Sequence, residues 1–208
     1  MITAIVLAAG LSTRMGQSKP LLPFGKRAVI EHILSALREC PVDVILVVTG
    51  HEREAVERRL AGWPIQTVFN PQFATGEMLA SIQVGLRSAP DEAGAALIVL
   101  GDQPALERSV VEQVIAAYRR GPGSIVIPSH QMRRGHPLLI DRRHWAEILA
   151  LREGQTLRDF FRGAAGAILH VEVATASVLR DMDTPVDYRR ELVAYLSRQP
   201  TTEIQGEV

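Results

Sequence analysis

The residues best equipped for chemistry lie near the start of the chain, in Leu7-Ala8-Ala9-Gly10-Leu11-Ser12-Thr13-Arg14-Met15-Gly16-Gln17-Ser18-Lys19-Pro20. Arg14 and Lys19 carry the positive charge that phosphate oxygens attract, and Ser12 and Thr13 offer hydroxyls. Gly10 and Gly16 free the backbone to turn and to approach a ligand closely, while the amides of such a loop add partial positive charge. The apolar run Ile2 to Leu7 ahead of the loop reads as a buried strand. Open α/β sheets place ligands where a strand gives way to a loop, so the segment predicts a phosphate site. It is neither of the familiar phosphate motifs. Lys19 lies too far beyond Gly16 for G-x-x-x-x-G-K-[ST], and Gly10 has no glycine two residues on for G-x-G-x-x-G.

Carboxylates are the second resource. Asp102, in Leu100-Gly101-Asp102-Gln103-Pro104, sits just past an apolar run, where it suits a metal ligand and equally suits a cap on the following turn. Magnesium on a nucleotide is usually held by one or two carboxylates with phosphate oxygens and water, so Asp102 wants a partner. Arg180-Asp181-Met182-Asp183-Thr184-Pro185 offers two, in an extended segment expected to point Asp181 and Asp183 to opposite sides. Thr184 and Pro185 also spell a helix start. The six histidines are scattered without zinc spacing, and no Ser/His/Asp or Cys/His arrangement appears. The chemistry on offer is therefore positioning and charge neutralisation, not attack by a protein nucleophile.

The elements that must hold these groups alternate between strand and helix. Val42 to Val48, Ile65 to Phe69 and Ala95 to Leu100 read as strands, and Val29 to Arg38, Glu52 to Leu60, Glu77 to Arg87 and Arg108 to Arg119 as helices. Ile125 to Ile127, Pro137 to Ile140 and Ile168 to Val173 are further strands. Helices are expected near His144 to Leu151, Thr156 to Phe161 and Pro185 to Arg198. This alternation predicts a single α/β domain over residues 1–198, Rossmann-like, with a mostly parallel central sheet and helices on both faces. A polar tail, 199–208, is expected to be disordered.

Composition narrows the setting. Twenty-three basic and 23 acidic residues cancel, so no global field draws the protein to nucleic acid or anionic membrane. The single Cys40 excludes an internal disulfide and suits a reducing cytoplasm. The apolar start lacks the basic lead of an export signal, and no apolar run approaches the ~20 residues of a membrane helix.

The stretch A-A-G-x-S-x-R-M-G-x-x-K-x-L-L-P resembles the signature loop of the MobA-like nucleotidyltransferases of molybdenum cofactor biosynthesis, and is most similar to their cytidylyltransferase branch. The likeness runs from Ile2 to about Tyr188. It implies that Arg14 and Lys19 serve catalysis on the phosphates, and that Leu7, Ala8, Ala9, Gly10, Ser12 and Gly16 bind the nucleotide. Asn70, Gly76 and Ser81 match an N-P…G-x-x-x-S segment that meets the nucleoside, although Glu77 to Ala80 replace a run that is usually small or hydroxyl-rich. The G-D-x-P and D-x-D-T-P elements assign Asp102 and Asp183 to Mg2+. Arg134, Gly135, His136 and Pro137 match a G-H-P element facing the acceptor, with His136 in a positioning role. The activity so implied transfers CMP from CTP to the phosphate of a molybdenum-bearing molybdopterin, with a molybdoenzyme or its chaperone as protein partner. The alternatives are a guanylyltransferase, a sugar- or polyol-phosphate nucleotidyltransferase, or a non-catalytic cofactor carrier.

Overall fold

The computed structural model describes residues 1–75 and 77–198. β1 (Ile2–Ala8) leads through the glycine loop and a 3-10 turn (Lys19–Leu21) to a small hairpin, β2 (Pro23–Phe24) with β3 (Arg27–Ala28). α1 (Val29–Arg38), β4 (Val44–Thr49), α2 (Arg53–Arg59), β5 (Gln66–Phe69), α3 (Met78–Ser88), β6 (Ala95–Leu100) and α4 (Arg108–Arg120) continue the alternation. β7 (Ile125–His130) then turns back through β8 (Arg133–Arg134) and β9 (Leu138–Asp141). α5 (Trp145–Ala150), α6 (Leu157–Gly163), β10 (Ile168–Glu172) and α7 (Pro185–Leu196) follow.

The main sheet runs β10-β7-β9-β6-β1-β4-β5, with β8 paired to β7. β1 is parallel to β4 and β6, and β4 to β5. β9 alone in the main path runs against both neighbours, with Ile98 opposite Leu138 and Ile125 opposite Ile140. The carboxyl ends of β1 and β6 therefore share an edge with the start of β9, which places the loops after Ala8, Leu100 and His130 on one rim.

Side-chain alternation divides the core between the two faces. Ala4, Val6 and Val47 pack with Ile33, Leu37 and Val114, so α1 and α4 cover one side. Ile5, Leu46 and Val48 pack with Ile82, Trp145 and Ile148 on the other. α3 lies close on β1 because Gly85 has no side chain: a Cβ there would come 2.4 Å from Ile5 Cγ2. β4 begins at Val44, two residues later than its apolar run, after a bend at Asp43 whose carboxylate accepts the Ile2 amide at 2.6 Å. The predicted last helix ends at Leu196, and the expected tail 199–208 lies outside the described residues. Among the described residues no helix is long and apolar enough to cross a membrane.

Candidate active site

A cleft of about 560 Å³ opens at the carboxyl ends of β1 and β6. One wall is the glycine loop from Leu7 to Arg14, and the other is Phe73, Ala74, Thr75, Glu77 and Met78, ahead of and at the start of α3. Lys19, Asp102, Asp181 and Asp183 line it as well. The loop makes its own turn, with the Met15 and Gly16 amides donating to the Ser12 carbonyl at 2.9 and 3.1 Å. Ser12 accepts a left-handed backbone, φ 53°, to do so, and its Oγ accepts the Lys19 amide at 3.1 Å. That bond fixes where the lysine leaves the backbone.

The Lys19 ammonium is held between two carboxylates, donating to Asp183 Oδ1 at 2.7 Å and to Asp102 Oδ2 at 2.9 Å. Burial pushes the Lys19 pKa down, but the hydrogen bond to Asp183 and the charge and bond of Asp102 outweigh it, and the net shift is upward. Asp183 moves the other way. The Lys19 bond lowers its pKa against the opposing effect of burial, and Arg14, with Nη2 3.0 Å from Asp183 Oδ2, adds to the lowering. Arg14 is two-thirds exposed, so its pairing is weak and its guanidinium is free to turn toward a ligand. A divalent ion fits this donor set. Two carboxylates already converge on one cation, and the open cleft leaves room for the phosphate oxygens and water that magnesium requires.

Asp181 departs from expectation. It lines the same cleft as Asp183, and it is Met182, with no exposed surface, that turns into the core. Residues two apart on an extended chain share a face, so the expected opposition has the wrong period. Asp181 accepts from Gln103 Nε2 at 2.5 Å, and burial of its carboxyl, reinforced by the charges of Asp102 and Asp183, raises its pKa.

Other predicted residues stand back from the wall. Asn70 is fully buried. It donates to Ser81 Oγ at 3.0 Å and accepts the Gln72 amide at 2.9 Å, so it shapes the 71–75 loop and lies behind the residues that line the cleft. Ser81 does line the cleft, and Gly76 lies outside the described residues. Gly16 faces solvent with φ 69°, serving the turn and not the wall. The expected acceptor residues do not line the cleft: Arg134 is exposed in β8, and Gly135 is packed so closely that a Cβ would fall 2.3 Å from the Val178 carbonyl oxygen. The His136 amide donates to that same carbonyl at 3.0 Å, and burial lowers its imidazole pKa to about 4. Arg134, Gly135, His136 and Pro137 occupy the same sheet edge as the cleft, beyond β6.

Phe73 and Thr75 line the cleft with no local sequence pattern to mark them, and Gly50 lies behind them. Gly50 is small because a Cβ there would meet Phe73 Cβ at 2.5 Å and the Ala9 carbonyl oxygen at 2.6 Å, which brings the two walls together. Gly101 does the same under Asp102, since its Cβ would meet the Leu7 carbonyl oxygen at 2.5 Å. The glycine of Leu100-Gly101-Asp102 was the available signal for the second; no local pattern marks the first.

The profile of the MobA-like NTP transferase domain matches residues 4–173. The chain is 29% identical over 189 residues to the molybdenum cofactor cytidylyltransferase of Escherichia coli, covering 90% of this chain and 93% of that one. It is also 26% identical over 192 residues to a nicotine blue oxidoreductase of Paenarthrobacter nicotinovorans, covering 88% and 92%. A Mycobacterium tuberculosis protein, Rv0371c, solved in complex with manganese, superposes with a TM-score of 0.78 at 25% identity, over 93% of this chain and 98% of that one.

Proposed function

Because the chain belongs to the MobA-like NTP transferase domain family, we propose that it transfers CMP from CTP to the phosphate of molybdenum-bearing molybdopterin, giving the cytosine dinucleotide and pyrophosphate. The observation that carries this reading is the Lys19 ammonium held between Asp102 and Asp183 at the mouth of a glycine loop. The resemblance over nine-tenths of the chain to a molybdenum cofactor cytidylyltransferase supports the choice of substrates.

In the reaction, an oxygen of the acceptor phosphate bonds to the α-phosphorus of the nucleotide. The bond from that phosphorus to the bridging oxygen breaks, and its electron pair leaves with pyrophosphate. The acceptor is already ionised, which removes the need for a strong base. Lys19 releases its carboxylates to meet the triphosphate, and Arg14 swings onto the same oxygens, where fixed positive charge is worth most as negative charge develops. Asp102 and Asp183 would hold the divalent ion, which supplies charge neutralisation at the phosphates when bound. Ala9 is among the residues of the cleft wall, and a methyl there supports a pyrimidine over the larger purine as the base. Of the segment Arg134 to Pro137, on the same rim beyond β6, the exposed Arg134 side chain is the group that would meet the acceptor phosphate, with Gly135 and His136 holding the segment against Val178. The product then passes, within the cytoplasm, to a molybdoenzyme or its chaperone.

The test is incubation with each of the four nucleoside triphosphates, Mg2+ and molybdopterin charged with molybdate, following pyrophosphate release and product mass. CTP should give the cytosine dinucleotide. A product formed only with GTP, or formed in parallel incubations where a sugar phosphate replaces molybdopterin, would replace this substrate assignment.

A further inference from the structure

One residue of α7 is buried, and it is an acid. Glu191 lies inside the stripe of Tyr188, Leu192 and Tyr195 by which the helix docks, with 2% of its side chain exposed. An apolar residue of similar volume would dock the helix at no greater cost, so the charge points to orientation more than to stability. Its Oε2 lies 3.6 Å from Arg180 Nη1, and its Oε1 accepts from Arg190 Nε at 3.2 Å. Arg190 Nη1 is 3.1 Å from Asp187 Oδ1, and Asp187 Oδ2 accepts from the Thr184 amide at 3.0 Å and the Thr184 hydroxyl at 2.7 Å.

Arg180 and Thr184 are the residues on either side of Asp181-Met182-Asp183. We infer that Glu191 is a positioning residue for the carboxylates of the cleft. Through Arg180 at one end, and through Arg190 and Asp187 to Thr184 at the other, it clamps the strap that aims Asp183 at Lys19 and Asp102. The same helix is tied to the hairpin downstream of Lys19, where the Tyr188 hydroxyl donates to the Pro23 carbonyl and the Tyr195 ring lies 4.9 Å from Phe24. The clamp thus sets the strap relative to the loop that supplies the cation. This inference rests on the nucleotide-and-metal reading of the cleft.

Supporting residues behind a metal site change its affinity by about 10–100-fold. Mn2+ is titrated by electron paramagnetic resonance against the parent, Asp183→Asn, Glu191→Gln and Arg180→Lys, with CTP and then GTP present. Thermal unfolding is followed on the same samples. Glu191→Gln should weaken Mn2+ binding per folded molecule by about 10–100-fold, and Arg180→Lys should keep most of the parent's affinity. If Asp183→Asn binds Mn2+ as the parent does, the metal reading itself fails. If Asp183→Asn loses the ion while Glu191→Gln stays within about twofold of the parent and only melts earlier, the clamp is overturned and the metal reading stands. Should Glu191→Gln not fold, Arg180→Gln, whose side chain is one-third exposed, takes its place with the same outcomes.

Discussion

Replacing Lys19 with methionine should move two measurements in opposite directions. In the free protein the ammonium occupies the point on which Asp102 and Asp183 converge, so an entering divalent ion must displace it. Each of its two charge-assisted bonds is of a kind worth about 1.5–3 kcal/mol. Asp183 is 38% exposed and shared with Arg14, so screening reduces its part well below that range. The displaced interaction is then on the order of 2 kcal/mol, or roughly 30-fold in affinity. Lys19→Met should therefore bind Mn2+ alone roughly 30-fold more tightly than the parent by paramagnetic resonance. With nucleotide present the lysine's charge is missing from the developing phosphate charge, and turnover should fall by about 10²–10³-fold, as for loss of one transition-state donor. Unchanged or weaker Mn2+ binding in the folded variant refutes the idea that the ammonium stands in for the ion. Turnover within a few-fold of the parent refutes the phosphate role.

Asp102→Asn and Asp183→Asn should each lower metal-dependent turnover on the order of a hundredfold. Asp181→Asn should do less, because its carboxylate is engaged by Gln103; equal losses at all three would mean that three carboxylates share the ion. CTP should be preferred to GTP by kcat/KM on the order of tens or more, and Ala9→Gly should narrow that ratio without reversing it; competition assays with one acceptor check both. His136 should make the fold acid-sensitive. Its pKa is about 4 folded against 6.5 unfolded, so stability is complete above pH 6.5 and is lost as pH falls toward 4, amounting to about 2 kcal/mol by pH 5. Urea titrations at pH 7 and 5 should show that slope in the parent and not in His136→Gln. Thr3→Val should be neutral or stabilising by about 1 kcal/mol in the same assay, since the buried Thr3 Oγ1 has no hydrogen-bond partner among the described residues.

Much of this arrangement is legible in the chain because it depends on local spacing. The strand before the loop, the cations on it and the carboxylate past Leu100 follow from apolar runs that stop at glycine. Residues whose role is set by distant neighbours are not legible in that way. Asn70 is marked by its Asn-Pro pattern, but that its amide bonds Ser81, eleven positions on, and sits behind the cleft wall follows only from the fold. Gly135 looks like room for an acceptor until Val178 fills that room. Glu191 had a faint signal, an acid spaced with Tyr188, Leu192 and Tyr195 on one helical face, but its meaning depends on Arg180 arriving from another segment. Asp181 and Asp183 were a matter of period alone, and Met182 settles which of the three turns inward.

The two carboxylates that share Lys19 have a consequence for the order in which the protein comes into being. Asp102 and Lys19 belong to the half of the chain synthesised first, whereas Asp183 comes after the last strand, β10. A nascent chain reaching Glu172 has every described strand of the sheet and both cations of the loop, yet only one of the two acids. Until the segment ahead of α7 is in place, Lys19 has Asp102 as a partner and lacks Asp183, so the pair of carboxylates is the part of the cleft that forms last along the chain.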